Sequence, residues 1–126
     1  MIRRPVPAVG VTEAHAALAG GGPDGPVIVD VRGRDEFLQA RVAGSILLPL
    51  PEFAARWREL PGDRGLLLLC ASGARSAAAT AHLVAAGRTD VANVDGGIIA
   101  WYRAGLPIRS GPLEPGEGDV SGVSAG

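Results

Sequence analysis

A chain of 126 residues with a formal net charge of −1 and an apolar fraction of 47% suits one soluble globular domain, since a core of this size buries roughly two thirds of the unfolded surface. The near-neutral charge excludes a strongly basic nucleic-acid binder, and the apolar content excludes a disordered chain. All twelve basic residues are arginine, which reads as compositional bias and not as the signature of a partner.

One cysteine cannot form an internal disulfide or a structural zinc cage, so no metal or cofactor is expected and a reducing, cytoplasmic setting is the simplest expectation. Arg3 and Arg4 open the chain, but Pro5, Pro7 and Gly10 interrupt the stretch after them, so no signal peptide is expected. No apolar run is long enough for a membrane span.

In chain order, Thr12 can cap a short helix through Leu18, and the glycines and prolines of 20–26 break regular structure. "VIVDV" (27–31) reads as a buried strand, being β-branched and bounded by Pro26 and Gly33. "RDEFLQAR" (34–41) has acids early and Arg41 late, the order a helix dipole favours, and Gly44 closes it. "SILLPL" (45–50) is a brief strand; Pro51 then opens a helix that presents Phe53, Trp57 and Leu60 on one face. "GLLLLC" (65–70) is a strand, 76–86 a helix stopped by Gly87, "VANV" (91–94) a strand and 97–105 a last helix. Short buried strands alternating with helices point to βα units around a mostly parallel sheet. From Ser110 the chain is rich in Gly, Pro, Ser and acids and reads as a disordered tail.

The chemistry is expected where the third strand-like apolar run, "GLLLLC", ends. In an open parallel sheet, ligands bind at the carboxyl ends of the strands, and Cys70 ends one. Ala71, Ser72, Gly73 and Ala74 are small enough for the backbone to curl, so that successive N–H groups converge above the sulfur. The start of the next helix adds partial positive charge and Arg75 a full one, which favours a reactive, partly exposed thiolate. The plain alternative is a buried packing cysteine, which position alone favours; the glycine-containing loop ending in Arg reverses that. His15 and His82 lie on predicted helices without ligand spacing, Arg56 and Arg58 flank Trp57 on a solvated side, and Arg103 can line the cleft mouth.

Three motifs in order resemble the single-domain rhodanese family over roughly residues 8–109: "VIVDVRGRDEF", "CASGAR" as Cys-x-x-Gly-x-Arg, and "VDGGIIAWYRAGLPI". The resemblance implies an α/β fold with an open, mostly parallel five-stranded sheet and helices on both faces, the domain covering 1–109 and a tail 110–126. It implies that Cys70 is the nucleophile that bears a persulfide, that the amides of Ala71, Ser72, Gly73, Ala74 and Arg75 hold the outer sulfur, and that Asp30, Arg32, Gly96, Gly97 and Trp101 are structural. The partners it implies are a small sulfur donor such as thiosulfate and a thiol, cyanide or sulfur-carrier protein as acceptor, with neither nucleic acid nor membrane. Where many relatives carry His, "ARVAGS" places Arg41.

Two other readings compete with sulfur transfer. A carrier or docking module would hold sulfur without turnover. A cysteine phosphatase would also use a Cys-to-Arg loop, but with five residues enclosed, whereas Cys70 and Arg75 enclose four, a ring better sized for sulfur than for phosphate.

Overall fold

In the computed structural model, which describes residues 6–124, the continuous apolar runs form the centre of a parallel sheet. Arg3, Arg4 and Pro5, at which a leader would begin, lie outside the described residues. The strands are β1 (Ala8–Val9), β2 (Val27–Asp30), β3 (Ile46–Leu47), β4 (Leu66–Leu69), β5 (Val91–Val94) and β6 (Gly118–Asp119). Their order is β1-β5-β4-β2-β3-β6, and every strand pairing is parallel. The helices are α1 (Val11–Gly21), α2 (Arg34–Gln39), α3 (Leu50–Arg56), α4 (Ala74–Ala85), α5 (Gly97–Arg103) and α6 (Val120–Ser124).

β2 and β4 are buried at every position, so they read as unbroken hydrophobic runs and not as alternating ones. Alternation still sorts their side chains. Val27, Val29, Leu66, Leu68 and Cys70 meet Phe53 of α3 and Ala79 and Leu83 of α4, whereas Ile28, Leu67 and Leu69 meet Ala14 of α1 and Ile98 and Trp101 of α5. Burying each such aliphatic side chain contributes on the order of 1.5–3 kcal/mol, and these two layers clamp the sheet. The chain leaves β2 toward β3 on one side and returns as β4 on the other. The carboxyl ends of β2 and β4 are thus the switch point of the sheet, where a crevice opens.

The sheet has six strands, not five. The two strands that the sequence hides, β1 and β6, have two residues each and lie at the two edges, too short to show a period. Thr12 is not a cap: Gly10 holds that position, and α1 runs past Leu18 to Gly21 before a 3-10 turn at Gly22–Asp24. Gly87, at φ 100°, ends α4 as expected, its N–H bonded to the Val84 carbonyl at 3.0 Å.

Residues 110–124 are not a disordered tail. Gly118 and Asp119 pair with β3, and Val120 sits in the core beside it. The anchor is Arg41, which lies beyond α2 and is fully buried, not at the exposed end of a helix. Its Nε donates to Glu117 Oε1 at 3.0 Å, and its terminal nitrogens donate to the carbonyls of Gly111 and Pro112 at 2.8 and 2.7 Å. Glu117 also accepts from Gly44 N, Glu114 N and Arg109 Nη1 at 2.9, 2.9 and 2.8 Å. Asp119 binds Arg34 at 3.1 Å and Arg56 at 2.8 Å, so Arg56 is an anchor as well and not merely a solvated residue. Two of the acids that suggested a disordered tail, Glu117 and Asp119, thus find arginines of the domain.

Candidate active site

Cys70 follows the last residue of β4, and alternation turns its side chain toward α3 and α4. The next helix, α4, starts two residues earlier than the sequence suggests, with Gly73 as N-cap. Gly73 has φ 105°, a left-handed conformation that an L side chain adopts only with strain. A Cβ there would also lie 3.2 Å from the Gly96 nitrogen. This twist brings the Gly73 N–H to 3.1 Å from Cys70 Sγ.

Ser76, at the third position of α4, aims its backbone N–H at the same atom and places its hydroxyl oxygen 3.3 Å from it. Burial pushes the Cys70 thiol up, but the Ser76 hydroxyl and the N–H groups of Ser76, Gly73 and Ser72 outweigh it, leaving the thiol below its ordinary value. Donors of Ser72, Gly73 and Ser76 thus bear on Sγ. Ser76 is absent from the residues singled out in the sequence. Its placement was readable, because side chains in a first helical turn lean back toward the N-terminus.

Cys70 is 1% exposed, so it is not the partly open thiol that the sequence suggests. The loop is held from outside by α5: Ile98 N and Ile99 N donate to the carbonyls of Cys70 and Ala71 at 2.9 and 3.1 Å. Those carbonyls consequently point away from the ring interior. Gly97 makes this approach possible, since a Cβ on it would lie 2.4 Å from both carbonyl oxygens. Gly96 forms the αL cap of α5. Trp101 is buried in the opposite core layer, with Nε1 donating to Pro107 O at 3.0 Å.

Arg75 frames the loop but is not a free cation. Its two terminal nitrogens bind the two carboxylate oxygens of Glu36 at 3.0 Å each, and the Arg75 hydrogen bond holds the Glu36 carboxyl down at about 2. Glu36 also accepts from Gly33 N at 3.1 Å. Asp30 and Arg32 form a buried bidentate pair at the end of β2, with a closest approach of 2.7 Å. Arg32 also donates to the Ala40 carbonyl, which ties the switch point to the end of α2.

Two clefts flank the loop. One of about 430 Å³ is lined by Val31, Gly33, Glu36, Leu50 and Arg75. The other, about 570 Å³, is lined by Ser72, Gly96, Ile99, Ala100 and Arg103. A separate cleft lined by Leu18, Pro26, Ile46 and Arg64 lies at the amino ends of the strands, away from Cys70 and without a nucleophile. His15 packs edge-on against Trp101, and His82 against Phe53 and Trp57. No group of three or more metal-ligating side chains occurs among the described residues. Nor, among them, is any helix long and apolar enough to cross a membrane.

Residues 11–104 match the model of the rhodanese-like domain. The chain belongs to the rhodanese family. A sulfurtransferase of Allochromatium vinosum is 43% identical over 82 residues, which cover 65% of this rhodanese and 77% of that protein. Thiosulfate sulfurtransferase 18 of Arabidopsis thaliana is 34% identical, with 87% and 88% of the two chains covered. The crystal structure of a rhodanese-related protein from Thermoplasma volcanium superposes with a TM-score of 0.74 at 28% identity, covering 82% of this rhodanese and 97% of that chain.

Proposed function

We propose that this rhodanese domain moves a sulfane sulfur from thiosulfate or a related donor to a thiol, or to cyanide in an assay, through a persulfide on Cys70. The observation that carries the reading is one sulfur at the switch point under the donors of Ser72, Gly73 and Ser76. The Cys70 thiolate attacks the outer sulfur of thiosulfate; the new S–S bond forms as the old one breaks, and sulfite leaves with the electron pair. The acceptor thiolate then attacks the outer sulfur of the persulfide and becomes a persulfide itself, and Cys70 departs as a thiolate. Two displacements at sulfur amount to covalent catalysis with ping-pong kinetics. Backbone amides fixed before the reaction serve the anionic sulfur in both halves. Because Glu36 compensates Arg75, attraction of an anionic donor falls to Arg103 at the rim of the second cleft.

Intact-mass measurement after incubation with thiosulfate tests this. The expected product is a one-sulfur adduct that a thiol removes and that Cys70→Ser abolishes. An adduct in the Cys70→Ser variant refutes the site. An adduct on Cys70 that no acceptor discharges makes the domain a sulfur carrier. Hydrolysis of an aryl phosphate faster than sulfur transfer refutes the reaction.

A further inference from the structure

The Ser76 hydroxyl has one proton and three neighbours able to receive it: Asn93 Oδ1 at 2.6 Å, Cys70 Sγ at 3.3 Å and the Gly73 carbonyl at 3.3 Å. Asn93, on β5, decides between them. The Gly73 carbonyl lies 3.2 Å from the Asn93 amide and can only accept. The amide atom facing it must therefore be the NH2 group, and the atom facing Ser76 must be the oxygen. At 2.6 Å that oxygen takes the hydroxyl proton, which leaves a lone pair of Oγ toward the sulfur. Ser76 and Asn93 are both buried, so an amide oxygen deprived of this proton is a buried acceptor without a partner.

The protonation state of Cys70 now matters. A neutral thiol donates its S–H to the Oγ lone pair, and the chain S–H to Oγ–H to Oδ1 is complete. A thiolate has no proton to give; beyond the N–H groups of Ser72, Gly73 and Ser76, the hydroxyl serves it only by turning its own proton to the sulfur and abandoning Asn93. In a persulfide Sγ is divalent and uncharged, the charge sits on the outer sulfur, and the hydroxyl proton returns to Asn93.

We propose that Asn93 is a positioning residue that draws the Ser76 hydroxyl away from Cys70, favouring the thiol and the persulfide over the bare thiolate. Asn93 then keeps the domain loaded: discharge regenerates the thiolate and must pull the hydroxyl back. This consequence rests on the sulfur-transfer reading, but the relay itself does not.

The charged groups around Cys70 on the neighbouring elements are few. β2 ends in the Asp30–Arg32 pair, α4 carries Arg75 bound to Glu36 of α2, Asp95 follows β5, and Arg103 of α5 stands at the rim by Ser72. α3 turns Glu52 and Arg56 to each other, and Arg56 on to Asp119. Neither imidazole is among these groups.

The test is the pH dependence of iodoacetamide alkylation of Cys70 in the full chain. Its midpoint is the readout, because absolute rates also track intrinsic nucleophilicity. Asn93→Ala frees the hydroxyl for the sulfur and is expected to lower the midpoint by about one pH unit, roughly tenfold in thiolate fraction below it. Ser76→Ala is expected to raise it, and adding Asn93→Ala to Ser76→Ala to change nothing further. An unchanged or raised midpoint in Asn93→Ala, or a shift that persists without the Ser76 hydroxyl, overturns the proposal; the latter is what mere bracing of the Gly73 carbonyl gives. Asn93→Val, whose side chain suits a strand, carries the same expectation and replaces the alanine variant should that not fold. Loading by thiosulfate, read by intact mass, is separate: normal alkylation shifts without loading overturn sulfur transfer and leave the relay standing.

Discussion

Replacing Glu117 with alanine strands a guanidinium in the core. Arg41 is 0% exposed, and its Nε has Glu117 Oε1 as the partner at 3.0 Å. The same carboxylate satisfies Gly44 N, Glu114 N and Arg109. Breaking one side of a buried ion pair costs about 3–5 kcal/mol, because the remaining charge has lost its compensation. With roughly 0.26 kcal/mol/K of unfolding entropy for a chain of this length, the melting temperature is expected to fall by about 11–19 °C. The assay is thermal unfolding followed by circular dichroism, with urea melts to convert the shift into free energy. Residues 109–124 have a second way to respond: they can peel from β3 and let water reach Arg41, which caps the loss and exposes the segment to protease. The double variant Arg41→Leu/Glu117→Leu separates charge from packing, since an apolar pair of similar volume is often neutral or stabilising. It is expected to recover part of the lost stability and not all of it, because the carbonyls of Gly111 and Pro112 and the N–H groups of Gly44 and Glu114 lose their partners as well. A loss below about 1 kcal/mol in Glu117→Ala with the segment still protease-resistant, or a double variant as unstable as the single, refutes the buried-charge argument. The pH dependence has a definite sign. Burial pushes the Glu117 carboxyl up, but the N–H groups of Glu114 and Gly44 and the Arg41 guanidinium hold it below the ordinary 4.5. Its contribution is therefore fully present above about 4.5 and lost as the pH falls through the lower folded value.

Gly97→Ala drives a Cβ to 2.4 Å from the carbonyls of Cys70 and Ala71, so α5 must back away from the loop. Slower alkylation of Cys70 at neutral pH, together with a lowered melting temperature, is the expected result, and unchanged values for both would show that α5 does not hold the loop. Glu36→Gln removes the charge that compensates Arg75; a lower KM for thiosulfate with little change for an uncharged donor is expected, measured by thiocyanate formation with cyanide as acceptor. The Glu36–Arg75 pair contributes its stability above the ordinary carboxyl value of 4.5 and loses it as the pH falls through about 2. Both side chains are some 40% exposed, so melts at pH 7 should differ between the Gln variant and the natural chain by no more than about 1 kcal/mol.

What was legible in the sequence is local or doubly buried. β2 and β4 show as apolar runs because helices cover both faces, and the Cys70 loop shows because cysteine, glycine and arginine fall within one turn. The rest depends on partners far along the chain. Nothing near Arg41 announces a carboxylate 76 positions away, and in isolation its place after α2 looks like a favourable charge near a helix end. Glu36 stands 39 positions from Arg75, and as an acid in a first helical turn it already has a sufficient local explanation. Asn93 belongs to the site only because β5 pairs with β4, where it lies opposite Leu68. A polar residue inside "VANV" gives no sign of which strand it will face.

Burial and reactivity of Cys70 are often set against each other, and here the topology makes them compatible. Alternation along β4 sends the side chain into a core layer, where desolvation alone would keep the thiol protonated. Since α4 starts at once from Gly73, the free N–H groups of a first helical turn are the nearest polar atoms to that side chain. Elsewhere in a loop the accompanying carbonyls would cancel them. Two of these carbonyls, those of Cys70 and Ala71, are instead bonded by the free N–H groups of a second helix, α5. That is possible only where β4 and β5 are neighbours and both are followed directly by helices. The donors left facing the sulfur thus outnumber the acceptors because two adjacent βα units share one loop, and the thiol of a 1% exposed cysteine is still held below its ordinary value.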